Sequence, residues 1–286
     1  MKNLSTIAAA LFTTIALMAP AHARANDMAS PIIVAQYDVP FVATPQEVVN
    51  EMLNIANVDA NDYVIDLGSG DGRIVLTAVQ KHGARGMGVD LNPDHIARSK
   101  MAAREAGIED RATFVNANLF STDIKKASVV TMYLLPDVNL KLRPRLLNEL
   151  RPGTRVVSHA FSMGEWKPDR QAKVGSTSGR EIYYWVVPAK VEGTWKIKSQ
   201  SGEPIVVTFK QQFQEIQGSA RINDRDVPLR DAKLEGDHIS FTIADNLNGR
   251  DSSQKFEGRV NGNAIDGVAA AGGVENRELK WRATKA

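Results

Sequence analysis

The rhythm of hydrophobic and polar positions changes once along this chain, near Pro188. Before that point, short apolar runs alternate with stretches of helical period. Thr44, Pro45 and Glu47 have the spacing of a helix start, with Thr44 as cap and Glu47 closing a capping box. Val48, Val49, Met52, Leu53 and Ile55 then share one apolar face. Runs at 63–67, 86–90, 112–115, 128–133, 155–158 and 181–187 predict strands. Helices are predicted over 71–82, from Asn92-Pro93 to Gly107, and over 138–150, the last bent or interrupted by Pro144. Strands alternating with helices predict a parallel α/β sheet.

After Pro188 no helical period of useful length remains. Short alternating runs at 194–198, 205–210, 215–222, 232–234, 238–243, 255–260, 264–268 and 279–283 are separated by Gly-, Asn- and Asp-containing turns. That spacing predicts a small antiparallel β-barrel or sandwich. At the other end, Lys2, an apolar stretch over 7–18 and Ala21-His22-Ala23 have the order of a secretory signal peptide. The expected division is therefore a signal peptide over 1–23, a leader over 24–43, an α/β domain over 44–190 and the β-rich part over 191–286. Export to the periplasm or beyond follows, with no membrane span in the mature chain.

Composition narrows the chemistry. At 286 residues, with 43% hydrophobic and 24% charged side chains, the chain is long and apolar enough to build a globular core. Lysine and arginine number 35 against 33 acidic residues, so nothing points to a nucleic-acid partner. The absence of cysteine removes disulfides, thiolate nucleophiles and thiolate metal sites, and the five histidines show no ligand spacing, so no metal is expected.

The informative stretch is Asp66-Leu67-Gly68-Ser69-Gly70-Asp71-Gly72-Arg73, at the turn from the first strand to the next helix. Glycines there let a ligand approach the backbone, and the helix start offers free N–H groups. Arg73 stands where a dinucleotide fingerprint has its third glycine. Asp66 and Asp71 repel a pyrophosphate but suit a cationic ligand bearing an ammonium group. S-adenosylmethionine, with a sulfonium and an amino-acid tail, is such a ligand. Asp90, ending the second strand, can accept hydrogen bonds from two ribose hydroxyls.

Residues 40–190 resemble the seven-strand class I methyltransferases, and among them bacterial relatives of the lysine methyltransferases of the ATP synthase c subunit and the adenine nucleotide translocase. The matching stretches are Pro40 to Pro45, Asp66 to Val75, Gly88-Val89-Asp90, Asn118-Leu119-Phe120, Met132 to Pro144 and Val156 to Phe161. The resemblance implies a Rossmann-like seven-strand methyltransferase sheet using S-adenosyl-L-methionine. It implies cofactor contacts by Thr44, Asp66, Gly68, Ser69, Gly70, Asp71, Gly72, Asp90, Asn118 and Leu119. Asn118 stands where the family often has aspartate, and an amide oxygen can still accept from an adenine amino group.

Transfer to a protein lysine is the activity the resemblance implies. Methylation of a small molecule or lipid, or a non-catalytic exported binder keeping the fold, are the alternatives. Tyr133, at the end of the fourth strand, is the candidate for orienting the acceptor. His159, after the fifth, could take a proton, although a histidine there is more often structural. Lys141, Arg143 and Arg145 read as a solvated helix face, and Trp166 and Trp185 as packing.

Overall fold

The computed structural model describes residues 41–176, 178–198, 204–222, 224–247, 250–271 and 278–286. The expected signal peptide, and the leader up to residue 40, lie outside the described residues. Phe41 to Pro45 run without regular structure into α1 (Gln46–Ile55).

Seven strands form one sheet: β1 (Tyr63–Leu67), β2 (Arg85–Asp90), β3 (Ala112–Asn116), β4 (Val129–Met132), β5 (Arg155–His159), β6 (Arg170–Lys173) and β7 (Glu181–Val186). Their order is β3-β2-β1-β4-β5-β7-β6. The first five are parallel, joined by α2 (Arg73–His82), α3 (Pro93–Glu105) and α4 (Pro136–Glu149). The fully parallel sheet expected from the alternation is corrected at its far edge. There β7 runs antiparallel to β5, and β6 antiparallel to β7. No helix separates these three strands, so the chain returns beside itself. β6 reads Arg-Gln-Ala-Lys and is mostly exposed, an edge strand with no apolar alternation to announce it.

The capping box at α1 is also corrected. Pro45 holds the cap position and no side chain caps the helix. The Thr44 hydroxyl turns instead to His159, and Glu47 pairs with Arg180 at 2.5 Å. With Pro45 at the cap, Thr44 precedes the cap position, and the N–H groups of Val48 and Val49 donate to the Pro45 carbonyl. The apolar face holds, since Val48, Val49, Met52 and Leu53 are fully buried against β1, β4, β5 and β7. α4 continues through Pro144, which is exposed at the helix surface, where water can serve the carbonyl it leaves unpaired.

The remaining strands are β8 (Gly193–Lys198), β9 (Ile205–Gln212), β10 (Glu215–Ile222), β11 (Arg225–Glu235), β12 (His238–Leu247), β13 (Arg250–Asn261), β14 (Ala264–Ala271) and β15 (Glu278–Lys285). They close as an antiparallel barrel rather than a sandwich, because β15 pairs with β8 as well as β14. Several are longer than the sequence pattern predicts. β11 carries Pro228 and a register shift between Arg230 and Lys233, both of which hide a strand from pattern reading.

The barrel interior is filled with aromatic rings. Phe241 lies 5.0 Å from Phe256, 5.5 Å from Phe209 and 6.0 Å from Trp281, centroid to centroid. Trp195 is wholly buried, and its indole N–H donates to the Val191 carbonyl. The barrel packs on the α/β part through Phe213, at the β9–β10 turn, which stacks on buried Trp166 at 6.2 Å under the Arg143 guanidinium, and through Gln214, which donates to the Lys167 carbonyl. Trp185 donates to the Trp166 carbonyl, so both tryptophans are packing residues.

Candidate active site

The carboxyl ends of β1, β2, β4 and β5 bring most of the expected residues together. The turn after β1 passes through Gly68, Gly70 and Gly72 with φ of +80°, +52° and +80°. Such angles are open to glycine and costly for other residues, so the turn needs them. The Gly68 and Ser69 N–H groups donate to the Val89 carbonyl at the end of β2. Asp90 then joins strand to turn. Its Oδ2 accepts from Gly70 N–H and its Oδ1 from Asn92 N–H, both at 2.8 Å. Oδ1 also lies 3.5 Å from His95 Nδ1, and Oδ2 keeps a further lone-pair site for a ligand.

Asp66 is 2% exposed beneath the turn and accepts from the Thr131 hydroxyl at 2.7 Å. Burial pushes its carboxyl up to about 7; the Thr131 bond works against this, and Asp90 and Asp71 add to it. Asp71 behaves differently from its sequence reading as a ligand for an ammonium group. Burial works to raise it, but hydrogen bonds and charge from Arg73 outweigh that and hold it below the usual carboxylate range. The Arg73–Asp71 contact is 2.5 Å, and another Arg73 nitrogen donates to the Thr44 carbonyl at 2.8 Å. Asp71 therefore anchors Arg73, and Arg73 ties the glycine turn to the segment before α1.

Phe41 is a site residue that the sequence reading passed over. Its ring lies where a Cβ on Gly70 would fall, 2.1 Å from that position, and 4.6 Å from the His95 ring. The only sequence signal was its place in the Pro40–Pro45 run. Asn118 and Leu119 follow β3, next to Asp90, whose carbonyl accepts from Ala117 N–H. The Asn118 side-chain oxygen accepts from Phe120 N–H, and the Leu119 carbonyl from Arg145. Arg145 also grips Glu149, and Arg143 donates to the Met163 carbonyl, so both hold the fold rather than a solvated face.

On the far side of the turn, Leu134 packs against Gly68, which seats the preceding Tyr133 beside the site. The Tyr133 ring lies 4.0 Å from that of His159. His159 is buried. Its Nε2 faces the Gly179 carbonyl at 2.9 Å and its Nδ1 the Thr44 hydroxyl at 3.2 Å. A carbonyl only accepts, so Nε2 carries the hydrogen and Nδ1 accepts from Thr44. Burial lowers the His159 pKa, in keeping with a neutral ring. With both nitrogens engaged, His159 is a neutral support for Tyr133 rather than a proton acceptor. Thr44 serves His159 here.

Among the described residues, no group of three or more His, Asp or Glu could hold a metal ion. The donor set fits an organic cation. The Ser69 hydroxyl is buried in the turn without a protein partner, and buried hydroxyls left unpaired are uncommon unless a ligand or water completes them. The glycine turn, Asp66 and Asp90 would supply the remaining contacts for an amino-acid tail and a ribose.

The family model for the ANTKMT methyltransferase domain matches residues 66–170, the stretch that carries the glycine turn, Asp90, Tyr133 and His159. A protein-lysine N-methyltransferase of Saccharolobus islandicus is 43% identical over 151 residues, which is 52% of this chain and 94% of that protein. This chain belongs to the ANTKMT methyltransferase family. The adenine nucleotide translocase lysine N-methyltransferase of Mus musculus is 32% identical over 58% of this chain and 69% of its own length. A solved RNA methyltransferase of Salinibacter ruber in complex with S-adenosyl-L-homocysteine is 49% identical, with a TM-score of 0.51 over 52% of this chain and 96% of that one. The protein is an S-adenosylmethionine-dependent methyltransferase with a Rossmann-like sheet. The barrel lies beyond the residues the family model matches.

In this methyltransferase Asp90, Asp66, Ser69 and the glycine turn would hold the cofactor. When bound, the cofactor supplies an electrophilic methyl group on its sulfonium. The chain's own task is to align an uncharged nucleophile and exclude water around it.

Proposed function

We propose that this methyltransferase transfers methyl groups to lysine side chains of proteins. The reading rests above all on the 43% identity to a protein-lysine N-methyltransferase along 94% of that relative's length. The site geometry agrees with an amine acceptor. A lysine is protonated near neutral pH and must lose its proton before attack. Both ring nitrogens of His159 are already hydrogen-bonded, so deprotonation is assigned to desolvation beside half-buried Leu134, with Tyr133 orienting the lone pair. Activity is then expected to rise with pH as the amine fraction grows.

The test is incubation of the full chain with isotopically labelled S-adenosylmethionine and a total-protein extract, followed by mass spectrometry of the labelled product. Label on lysine upholds the reading. The Salinibacter relative is named an RNA methyltransferase, so an RNA-containing arm is included. Label on nucleotides, with none on lysine, would replace the lysine reading and leave the methyltransferase in place.

The same proposal includes export, on the strength of Lys2, the apolar stretch over 7–18 and Ala21-His22-Ala23. N-terminal sequencing of the protein from cells should begin at Arg24. A chain still beginning at Met1 would refute cleavage.

A further inference from the structure

The two most distinctive runs of the sequence, Tyr133 to Leu140 and Val156 to Phe161, are joined by hydrogen bonds that the cofactor site does not need. Asn139, on α4, is fully buried. Its amide nitrogen lies 3.2 Å from both the Ser158 hydroxyl and the Phe161 carbonyl. The Ser158 hydroxyl donates to the same carbonyl at 2.7 Å. Between them the backbone folds into a three-residue turn, closed by Phe161 N–H on the His159 carbonyl at 2.8 Å. Ala160, at its centre, has φ of +63°, an angle that costs a non-glycine residue energy. Two buried side chains thus hold one carbonyl and one strained residue in place. Strain of this kind persists where a side chain must be presented in a set direction.

The side chain presented is Phe161. Its half-buried ring lies 6.3 Å from that of Tyr133, with the planes 18° apart, and Tyr133 in turn rests on neutral His159. We infer that Phe161 contacts the methyl acceptor, forming with Tyr133 an aromatic jaw for an alkylammonium side chain, and that Asn139 positions it. The inference rests on the lysine reading and names the surface that would recognise the lysine. Aromatic faces pack on an alkyl stem and draw in its ammonium group, which then loses its proton before attack. Methylated products, which keep their charge and gain apolar surface, suit the same walls.

The experiment compares wild type, Phe161→Leu, Phe161→Tyr and Asn139→Ala. Each is given labelled S-adenosylmethionine and a graded total-protein extract, with label assigned to lysine after hydrolysis; cofactor Kd is measured separately by calorimetry. Leucine keeps apolar bulk and removes the aromatic face. Its rate at limiting extract should fall about tenfold, the scale of a desolvated cation–π contact. The loss should shrink at high extract, and cofactor Kd should stay within about twofold of wild type. Tyrosine should restore most of the rate, and Asn139→Ala should raise the half-saturating extract concentration in the same direction. Phe161→Leu labelling lysine as wild type does would overturn the jaw while the lysine reading stands. Equal losses in leucine and tyrosine, or a matching loss of cofactor affinity, would also overturn it. Wild type placing no label on lysine would sink the underlying reading, and the jaw with it.

Discussion

In the sheet, the buried positions include Asp62, Asp66, Ser69, Thr131, Asn139, Ser158 and His159; in the barrel, the buried side chains among the described residues are all apolar. Burying a polar group is costly unless it is hydrogen-bonded, and each buried charge raises that cost. The sheet bears most of it at the carboxyl ends of its strands, while Asp62, before β1, is paired with Arg155 and Ser128 at the other end. The barrel avoids it by stacking Phe209, Phe241, Phe256 and Trp281 into a solid interior. Left-handed residues occur in both halves: Gly68, Gly70, Gly72 and Ala160 lie at the site, Asn57, Gly83 and Gly107 follow helices elsewhere in the sheet half, and in the barrel Phe213, Gly236 and Gly262 sit at turns while Asp231 lies within β11. A region that binds and reacts keeps buried polar groups at its site, whereas the barrel interior is packed from apolar side chains.

The largest expected effect tests the barrel as a plug. Phe241→Ala should destabilise the chain by about 3–5 kcal/mol in chemical denaturation, the usual result of emptying a large aromatic site. Cofactor Kd below the transition should not change. If affinity falls along with stability, the barrel is part of the binding site and the contrast fails.

Asp90→Ala is the converse. Removing charged hydrogen bonds to the ribose should weaken cofactor binding by about 1.5–3 kcal/mol per bond, while the melting temperature moves less than for Phe241→Ala. Calorimetric titration measures it, and parent-like affinity would remove Asp90 from the site.

A titration sharpens the contrast further. The Asp66 carboxyl, held at about 7 by burial, keeps a proton in the folded chain that the unfolded chain has already lost. Its contribution to stability is therefore greatest in acid and disappears as pH rises through about 7. Ionised Asp66 attracts a cationic ligand, so cofactor affinity should rise by up to about tenfold between pH 6 and 8. Asp66→Asn should flatten that rise; an unchanged slope would show that another group is responsible.

The smallest effect compares two left-handed glycines. Gly70 and Gly262 have φ of +52° and +58°. Alanine at either should cost about 1–2 kcal/mol of stability. A Cβ on Gly262 meets nothing within 4 Å, whereas one on Gly70 strikes the Phe41 ring. Only Gly70→Ala should also lose cofactor affinity; equal affinities would mean that the Phe41 contact has no bearing on the cofactor.

The sequence was legible wherever a local rule set the outcome. β1, α3 with its Asn92 cap, and all eight barrel strands follow from periodicity and turn residues. So does the glycine turn, because the need for left-handed angles is a property of single residues. β6 escaped notice because an exposed polar strand at a sheet edge has no pattern to read. Thr44 was misread as a cap because the residue that claims its hydroxyl, His159, is 115 positions away.

By itself, then, the sequence determined the order of elements, the cofactor turn and the change from α/β to all-β. Those depend on backbone angles and on repeats of two or 3.6 residues, which neighbours in the chain settle among themselves. Tertiary structure alone decided that Asp71 anchors Arg73, that His159 stays neutral, and that the barrel closes and sends Phe213 into the sheet's core. It also decided that Asn139 and Ser158 hold Phe161 against Tyr133. Each is a contact between distant parts of the chain, where burial fixes which partner a polar group finds and whether it keeps its charge.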